Sequence, residues 1–189
     1  MREYSISELL DKVKTLKSFR IIPKGYWILG VQSKEDKFNE FDDMFYLFKG
    51  EEFIMKLTGT TNAGLTGLKS YSAYNKQGCA VIKTNEWYYN LWTPGKHKSK
   101  MRALVQASPI KYYRDWNKNS KVEEIGELKS GVIGVNFHTA TYSTSPYIAK
   151  FINGWSTGCQ VVNNTTDYFE VLDTIGVQSK ITYCLIKEF

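Results

Sequence analysis

His138 and Cys159 have the side-chain types and the setting for nucleophilic chemistry. His138 closes an apolar run, residues 132–137, that reads as a strand, so its ring is expected at the rim of a sheet. Cys159 follows the small-residue turn Ser156-Thr157-Gly158 and leads into Val161 and Val162. The gap of 21 residues (159 − 138) is mostly Ser, Thr, Tyr, Pro and Gly, long enough to loop out and return to the same rim. A cysteine becomes a useful nucleophile near neutral pH when a base or an imidazolium lies within hydrogen-bond reach. A glycine just before it lets the backbone approach a substrate closely. Successive N–H groups of Thr157, Gly158 and Cys159 can point at one developing oxyanion. Acyl transfer through a thioester is the chemistry this set serves. The same residues also fit a buried structural cysteine beside a hydrogen-bonded histidine.

The chain has only three cysteines and two histidines. Cys184 sits in a strand pattern between Tyr183 and Leu185, and Cys79 follows Gly78 with no histidine nearby in sequence; both read as structural. No pair has C-x-x-C spacing, so a zinc site would have to gather ligands from scattered positions. No metal and no cofactor is expected. Asp115-Trp-Asn117-Lys-Asn119 resembles the start of a calcium loop. Ser120 stands where such a loop needs Gly and Gly126 where it needs Glu, so a polar turn is expected.

The elements that must position these residues are short. Ser5 and Glu8 have capping-box spacing, and Ile6, Leu9, Leu10, Val13 and Leu16 form one stripe, so residues 1–20 are expected to carry an N-terminal helix. Residues 26–31 read as a strand, residues 44–48 and 53–57 as a hairpin, and the Thr- and Gly-rich residues 58–67 as a long loop. Further strands are expected at 80–83, 103–106, 110–113 and 132–137. A helix starts in residues 163–167 and stops at Gly176, and a last strand spans 181–186. The absence of βαβ alternation predicts a mostly β fold, a sandwich or barrel with an N-terminal helix and a C-terminal helix and strand. With 189 residues, a single domain (1–189) is expected, able to bury a core without disulfides.

The net charge of +6 is mild, and no nucleic-acid recognition motif accompanies it, so nucleic acid is not the expected partner. No apolar run approaches the roughly 18 residues of a membrane span, so no membrane insertion is expected. Residues 1–17 lack the apolar core and cleavage site of a signal peptide. The chain is therefore expected to be made in the cytoplasm.

His138, Ser156, Gly158 and Cys159 resemble the signature of the L,D-transpeptidase catalytic domain, a strand-end His followed by Ser/Thr-His-Gly-Cys. Thr157 stands where that family usually carries a second histidine. The ordered series is similar to a phage-associated branch of the family over residues 25–189. It runs through Gly30-Val-Gln-Ser, Phe41-Asp-Asp43, Thr60-Thr-Asn-Ala-Gly64, Lys100 to Gln106, Arg114-Asp115-x-Asn117, Gly134-Val-Asn-Phe-His138 and Trp155-Ser-x-Gly-Cys-Gln160. The resemblance implies a β-sandwich-like domain acting on peptidoglycan stem peptides. Cys159 would attack an amide carbonyl, with water giving hydrolysis and an amine giving a cross-link. His138 would be base and then acid, oriented by an unidentified acceptor, and Ser156 would order the turn.

By the same resemblance Thr61, Asn62 and Gly64 border the groove; Trp155, which abuts the Cys159 turn, reads equally as a cleft wall or as core, and is grouped with Thr139 in the substrate-binding set. Trp87, Tyr88, Tyr89 and Trp92 read as core before groove. His97 lies in a basic run, residues 96–102, that reads as a solvated face or as a patch attracting anionic wall polymer. A lysis or virion-associated wall hydrolase is the leading expectation. An inactive wall-binding or virion structural module on the same fold is the alternative.

Overall fold

The computed structural model describes residues 1–70 and 76–189. The expected N-terminal helix is α1 (Ile6–Lys14). Its capping box is complete: Ser5 Oγ accepts from the Glu8 N–H, and the Glu8 carboxylate accepts from the Ser5 N–H. The strands β1 (Tyr26–Gln32), β2 (Asp43–Lys49) and β3 (Glu52–Thr60) follow. After the short helix α2 (Leu65–Lys69) come β4 (Cys79–Ile82), β5 (Glu86–His97), β6 (Met101–Gln106), β7 (Ile110–Asp115), β8 (Lys129–Gly131), β9 (Phe137–Thr139) and β10 (Gln160–Val162). Helix α3 (Thr165–Ile175), capped by Asn164 and ended at Gly176, precedes β11 (Ile181–Lys187). The fold is mostly β, as the patterning predicts. Eight strands close into a barrel in the order β1-β11-β5-β6-β9-β10-β3-β2, and β4-β7-β8 form a small separate sheet. No helix among the described residues is long and apolar enough to cross a membrane.

Alternation along the strands explains why β1 and β11 read as continuous apolar runs: both faces are covered. Ile28, Phe45, Leu57, Trp92, Phe137, Tyr183 and Leu185 fill the interior, joined by Tyr168, Val171 and Ile175 of α3. Trp27, Leu29, Val31, Phe48, Cys184 and Ile186 face outward and are covered by Leu9, Leu10 and Val13 of α1. Burying each of the larger side chains contributes about 1.5–3 kcal/mol. The aromatic cluster of β5 is core, with Trp87, Tyr88 and Trp92 all buried, and Cys184 is structural as expected.

Three local expectations are corrected. Residues 58–67 are not one long loop, because β3 runs through Thr60 and α2 begins at Leu65. Residues 132–137 are not one strand. The N–H groups of Ile133, Gly134 and Val135 all converge on Gln106 Oε1, at 2.9 to 3.0 Å, so one side chain takes the donors a ladder would need. The basic run is not wholly a solvated face. The positive φ angles of Lys98 and Ser99 turn the chain after β5, which leaves residues 98–100 exposed and His97 buried as the last residue of the strand. The Asp115–Asn119 segment is a polar turn closed by its own side chains: Asn117 and Asn119 both donate to Glu123.

Candidate active site

The Ser156-Thr157-Gly158 turn before Cys159 is held from three sides. Ser156 Oγ donates to the Cys159 carbonyl at 2.8 Å and accepts from the Gly158 N–H at 3.1 Å, so the expected ordering role of Ser156 is a two-sided staple. The Ala80 N–H of β4 donates to the Thr157 carbonyl at 2.9 Å. Gly158 has φ +132, and a Cβ there would lie 2.6 Å from Ala80 Cβ and 2.7 Å from Ala80 O; only glycine fits. Behind the turn, buried Gln160 donates to the Thr61 carbonyl at 3.2 Å and accepts from the Tyr183 hydroxyl at 2.5 Å. That hydroxyl occupies the space a Cβ at Gly30 would need, 2.2 Å away. The engagement of the Gly158 N–H narrows the expected oxyanion set. Thr157 and Cys159 have the N–H groups with no acceptor among the described residues.

His138 is the middle residue of β9, fully buried rather than projecting at a rim. β9 runs parallel to β10, with His138 opposite Val161, and this pairing brings histidine and cysteine together. His138 Nδ1 lies 2.8 Å from the Thr139 carbonyl. A carbonyl only accepts, so Nδ1 carries the proton and the acceptor the sequence left unidentified is Thr139 O. His138 Nε2 is buried and has no hydrogen-bond partner among the described residues. The Cys159 thiol donates to the Gly134 carbonyl at 3.6 Å. The ring of His97 stacks on His138 with centroids 4.0 Å apart and planes at 24°. The sulfur and one nitrogen of each imidazole lie within 4.8 Å of one another.

Electrostatics leave this cluster uncharged at rest. Burial, with His97 and Lys98 adding, pushes His138 down to about 3 against the pull of the Thr139 carbonyl. Burial and Lys98 push His97 down to about 4. Burial pushes the Cys159 thiol up to about 11, although the Asn136 backbone N–H and Lys98 draw it back. The resting pair is therefore thiol and neutral imidazole.

Two imidazoles and a thiol are donor types that zinc accepts. The surroundings of His97 oppose that use. Metal-bound histidines donate their second N–H to an acceptor, whereas His97 Nδ1 faces the Asn136 side-chain amide nitrogen at 3.0 Å, a donor. Only His138 has the partner a metal ligand needs.

A pocket of about 110 Å³ is lined by Gly78, Cys79, Ala80, Arg114, Ile133, Gly134, Val135, Thr157, Gly158 and Cys159. The two histidines lie outside that lining. Of the expected substrate-binding residues, none lines it either. Thr61 donates through N–H and hydroxyl to Asp43, at 2.6 and 2.7 Å. Asn62 bonds Gln32 and Asp36, and the Gly64 N–H donates to the Ser156 carbonyl at 3.0 Å. Thr61, through its carbonyl on Gln160, and Gly64 brace the turn before Cys159 from behind, whereas Asn62 is bonded to Gln32 and Asp36 instead. Thr139 is buried, its hydroxyl on the Val162 carbonyl. Trp155 packs edge-on against Tyr142, with centroids 5.1 Å apart, beside Cys159.

Arg114, Gly134, Gln106 and Asn136 are the residues that reading for a catalytic pair passes over. Arg114 lines the pocket with its Nε buried and without a partner among the described residues. Period-two alternation along Thr93, Gly95 and His97, against Pro94 and Lys96, is the signal that places His97 inward. No protein-family model matches the chain, and neither does any curated protein or solved structure.

Proposed function

We propose that this protein is a cysteine enzyme that opens amide bonds in peptidoglycan stem peptides through a Cys159 thioester, with hydrolysis as its main outcome. The observation that carries the reading is the buried Nε2 of His138, unpartnered among the described residues, its Nδ1–H anchored on Thr139, in one cluster with the sulfur of Cys159, a residue that lines a pocket. An unsatisfied buried acceptor costs about 1–3 kcal/mol, and a base waiting for a proton is the functional reason to bear it. When substrate enters, the thiol leaves the Gly134 carbonyl and gives its proton to His138 Nε2. The sulfur then attacks the amide carbonyl, the N–H groups of Thr157 and Cys159 receive the oxyanion, and His138 returns the proton to the leaving amine. Water, activated by the same nitrogen, releases the acyl group. The stem-peptide assignment rests on the resemblance of the ordered motifs to the L,D-transpeptidase family.

The test is mass spectrometry of muropeptides after incubation with wild type and Cys159→Ala. The expected result is loss of terminal D-alanine or cleavage of a cross-link by wild type alone. Activity surviving in Cys159→Ala refutes the mechanism. A second reading, an inactive module on the same fold, is favoured by one observation: the resting thiol donates to Gly134 rather than to His138. Wild type that binds cell wall and leaves every muropeptide mass unchanged would establish it.

A further inference from the structure

The two imidazoles meet partners of opposite polarity, and those partners decide which nitrogen of each ring carries the proton. The Gln106 backbone N–H can only donate, and it donates to the Asn136 side-chain oxygen at 2.9 Å. The Asn136 amide nitrogen is thereby turned toward His97 Nδ1, at 3.0 Å. An amide NH₂ can only donate. His97 Nδ1 is then the bare, accepting nitrogen, and the ring proton sits on Nε2. At His138 the Thr139 carbonyl imposes the reverse, with Nδ1–H and a bare Nε2. The stack at 4.0 Å therefore pairs one donor ring with one acceptor ring, beside one sulfur.

We propose that His97 is a further catalytic residue: held as the Nε2–H tautomer by Gln106 and Asn136, it donates a hydrogen bond to the Cys159 thiolate as His138 removes the thiol proton. The proposal rests on the cysteine-enzyme reading above. The Sγ–H bond breaks, its proton bonds to His138 Nε2, and the electron pair stays on sulfur; the His97 Nε2–H bond stays intact throughout. One His97 nitrogen lies within 4.8 Å of the sulfur; as Nε2–H it would approach a neutral thiol at rest and bond an anion afterwards. Hydrogen bonds to ionised acceptors are roughly twice as strong as neutral ones, so the contact favours the activated state over the resting one, which is what accelerates a step. The Asn136 amide has a second effect. A cationic His97 would point Nδ1–H at an NH₂ group, so the ring stacked on the newly formed His138 imidazolium stays neutral and does not repel it. Lys98, next in sequence, is the charged neighbour that acts on all three groups.

The chain has only two histidines, so long-range ¹H–¹⁵N correlation spectra of the labelled protein report both tautomers without ambiguity. The expected spectrum at neutral pH shows His97 protonated on Nε2 and His138 on Nδ1. Protonation of His97 on Nδ1, or zinc binding that shifts the His97 nitrogens, overturns the assignment, because a metal on His97 needs a bare Nε2. Kinetics then test the role. His97→Phe keeps a stacked ring without the donor, and His97→Gln keeps an N–H near the Nε2 position. The expected result is a kcat loss of about 10²-fold in the Phe variant, the scale for one transition-state donor. KM should change little and most of the rate should return in the Gln variant. A His97→Phe enzyme with wild-type kcat and wild-type thiol titration overturns the proposal. Cys159→Ala separates the two failures. If it stays active, the cysteine reading itself is wrong; if it is dead while His97→Phe turns over normally, only the role of His97 is wrong.

Discussion

Gly158→Ala is the substitution whose effect the structure determines most closely. The residue sits at φ +132, where a side chain is strained, and an added Cβ would approach Ala80 Cβ to 2.6 Å and Ala80 O to 2.7 Å. Sparsely populated backbone conformations cost about 1–3 kcal/mol. Forcing a methyl into filled space costs about 1–3 kcal/mol more. The carbonyl cannot retreat cheaply, because the Ala80 N–H is bonded to the Thr157 carbonyl and Ala80 pairs with Arg114 in the small sheet. A total of about 4 kcal/mol follows, the middle of the summed range, which at an m value of about 2 kcal/mol/M lowers the urea midpoint by roughly 2 M.

Ala80→Gly in the same chain removes the Cβ–Cβ contact and leaves both the carbonyl contact and the strained φ. The double variant should recover about 1 kcal/mol as a coupling between neighbouring sites, and no more. Turnover should fall in both variants, since the N–H groups of Thr157 and Cys159 flank the displaced residue. Urea melts of the four members of this cycle, with muropeptide turnover measured in parallel, test the reasoning. A Gly158→Ala protein with the wild-type midpoint and wild-type turnover would show that the turn has a conformation other than this one.

Three further outcomes are expected. In wild type without substrate, site-resolved alkylation of Cys159 should be slow at pH 7 and rise only toward the thiol value of about 11; fast labelling that titrates near neutrality would mean a preformed ion pair. Ser156→Ala removes the hydroxyl bridging Cys159 O and Gly158 N–H, and should cost about 1–3 kcal/mol in a chemical melt with a lower kcat; an unchanged kcat would show that the staple is dispensable. Asp43 is fully buried, and burial pushes its carboxyl up to about 7 against the donors of Ser33 and Thr61. The folded state then holds a proton that the unfolded state releases near pH 4, so the contribution of Asp43 to stability is full below that and falls as pH rises toward 7. Melts of wild type at pH 4.5 and 7.5 should show this loss and Asp43→Asn a smaller one, since burial also raises Asp36, Asp42 and Asp115; parallel pH profiles would refute it.

Much of the framework was legible because it follows from local rules. The Ser5–Glu8 box and its stripe locate α1, the hairpin of β2 and β3 is bounded by Lys49-Gly50-Glu51-Glu52, and Asn164 and Gly176 bracket α3. Each depends on residues only a few positions apart. Residues 132–137 defeated the same reasoning because their pattern is strand-like while their N–H groups are claimed by Gln106, some 27 positions away. His97 was read as part of a charged surface because Lys96, Lys98 and Lys100 surround it in sequence, while alternation along β5 turns it inward.

What the sequence determined by itself is the inventory: one histidine at the end of an apolar run, one cysteine after Ser-Thr-Gly, and strands enough for a mostly β fold. Residue type decides which atoms can give a proton, attack or accept, and glycine decides where the chain may pass close to itself. What only the tertiary structure decided is state and partnership. Parallel pairing of β9 with β10 brings His138 to Cys159, β5 delivers the second imidazole that Thr157 does not supply, and the Thr139 carbonyl and the Asn136 amide set the two rings in opposite tautomers. A tautomer depends on the polarity of the group facing each nitrogen. A resting charge depends on how much water burial has removed. Both are properties of neighbours in space, and the linear order of residues does not contain them.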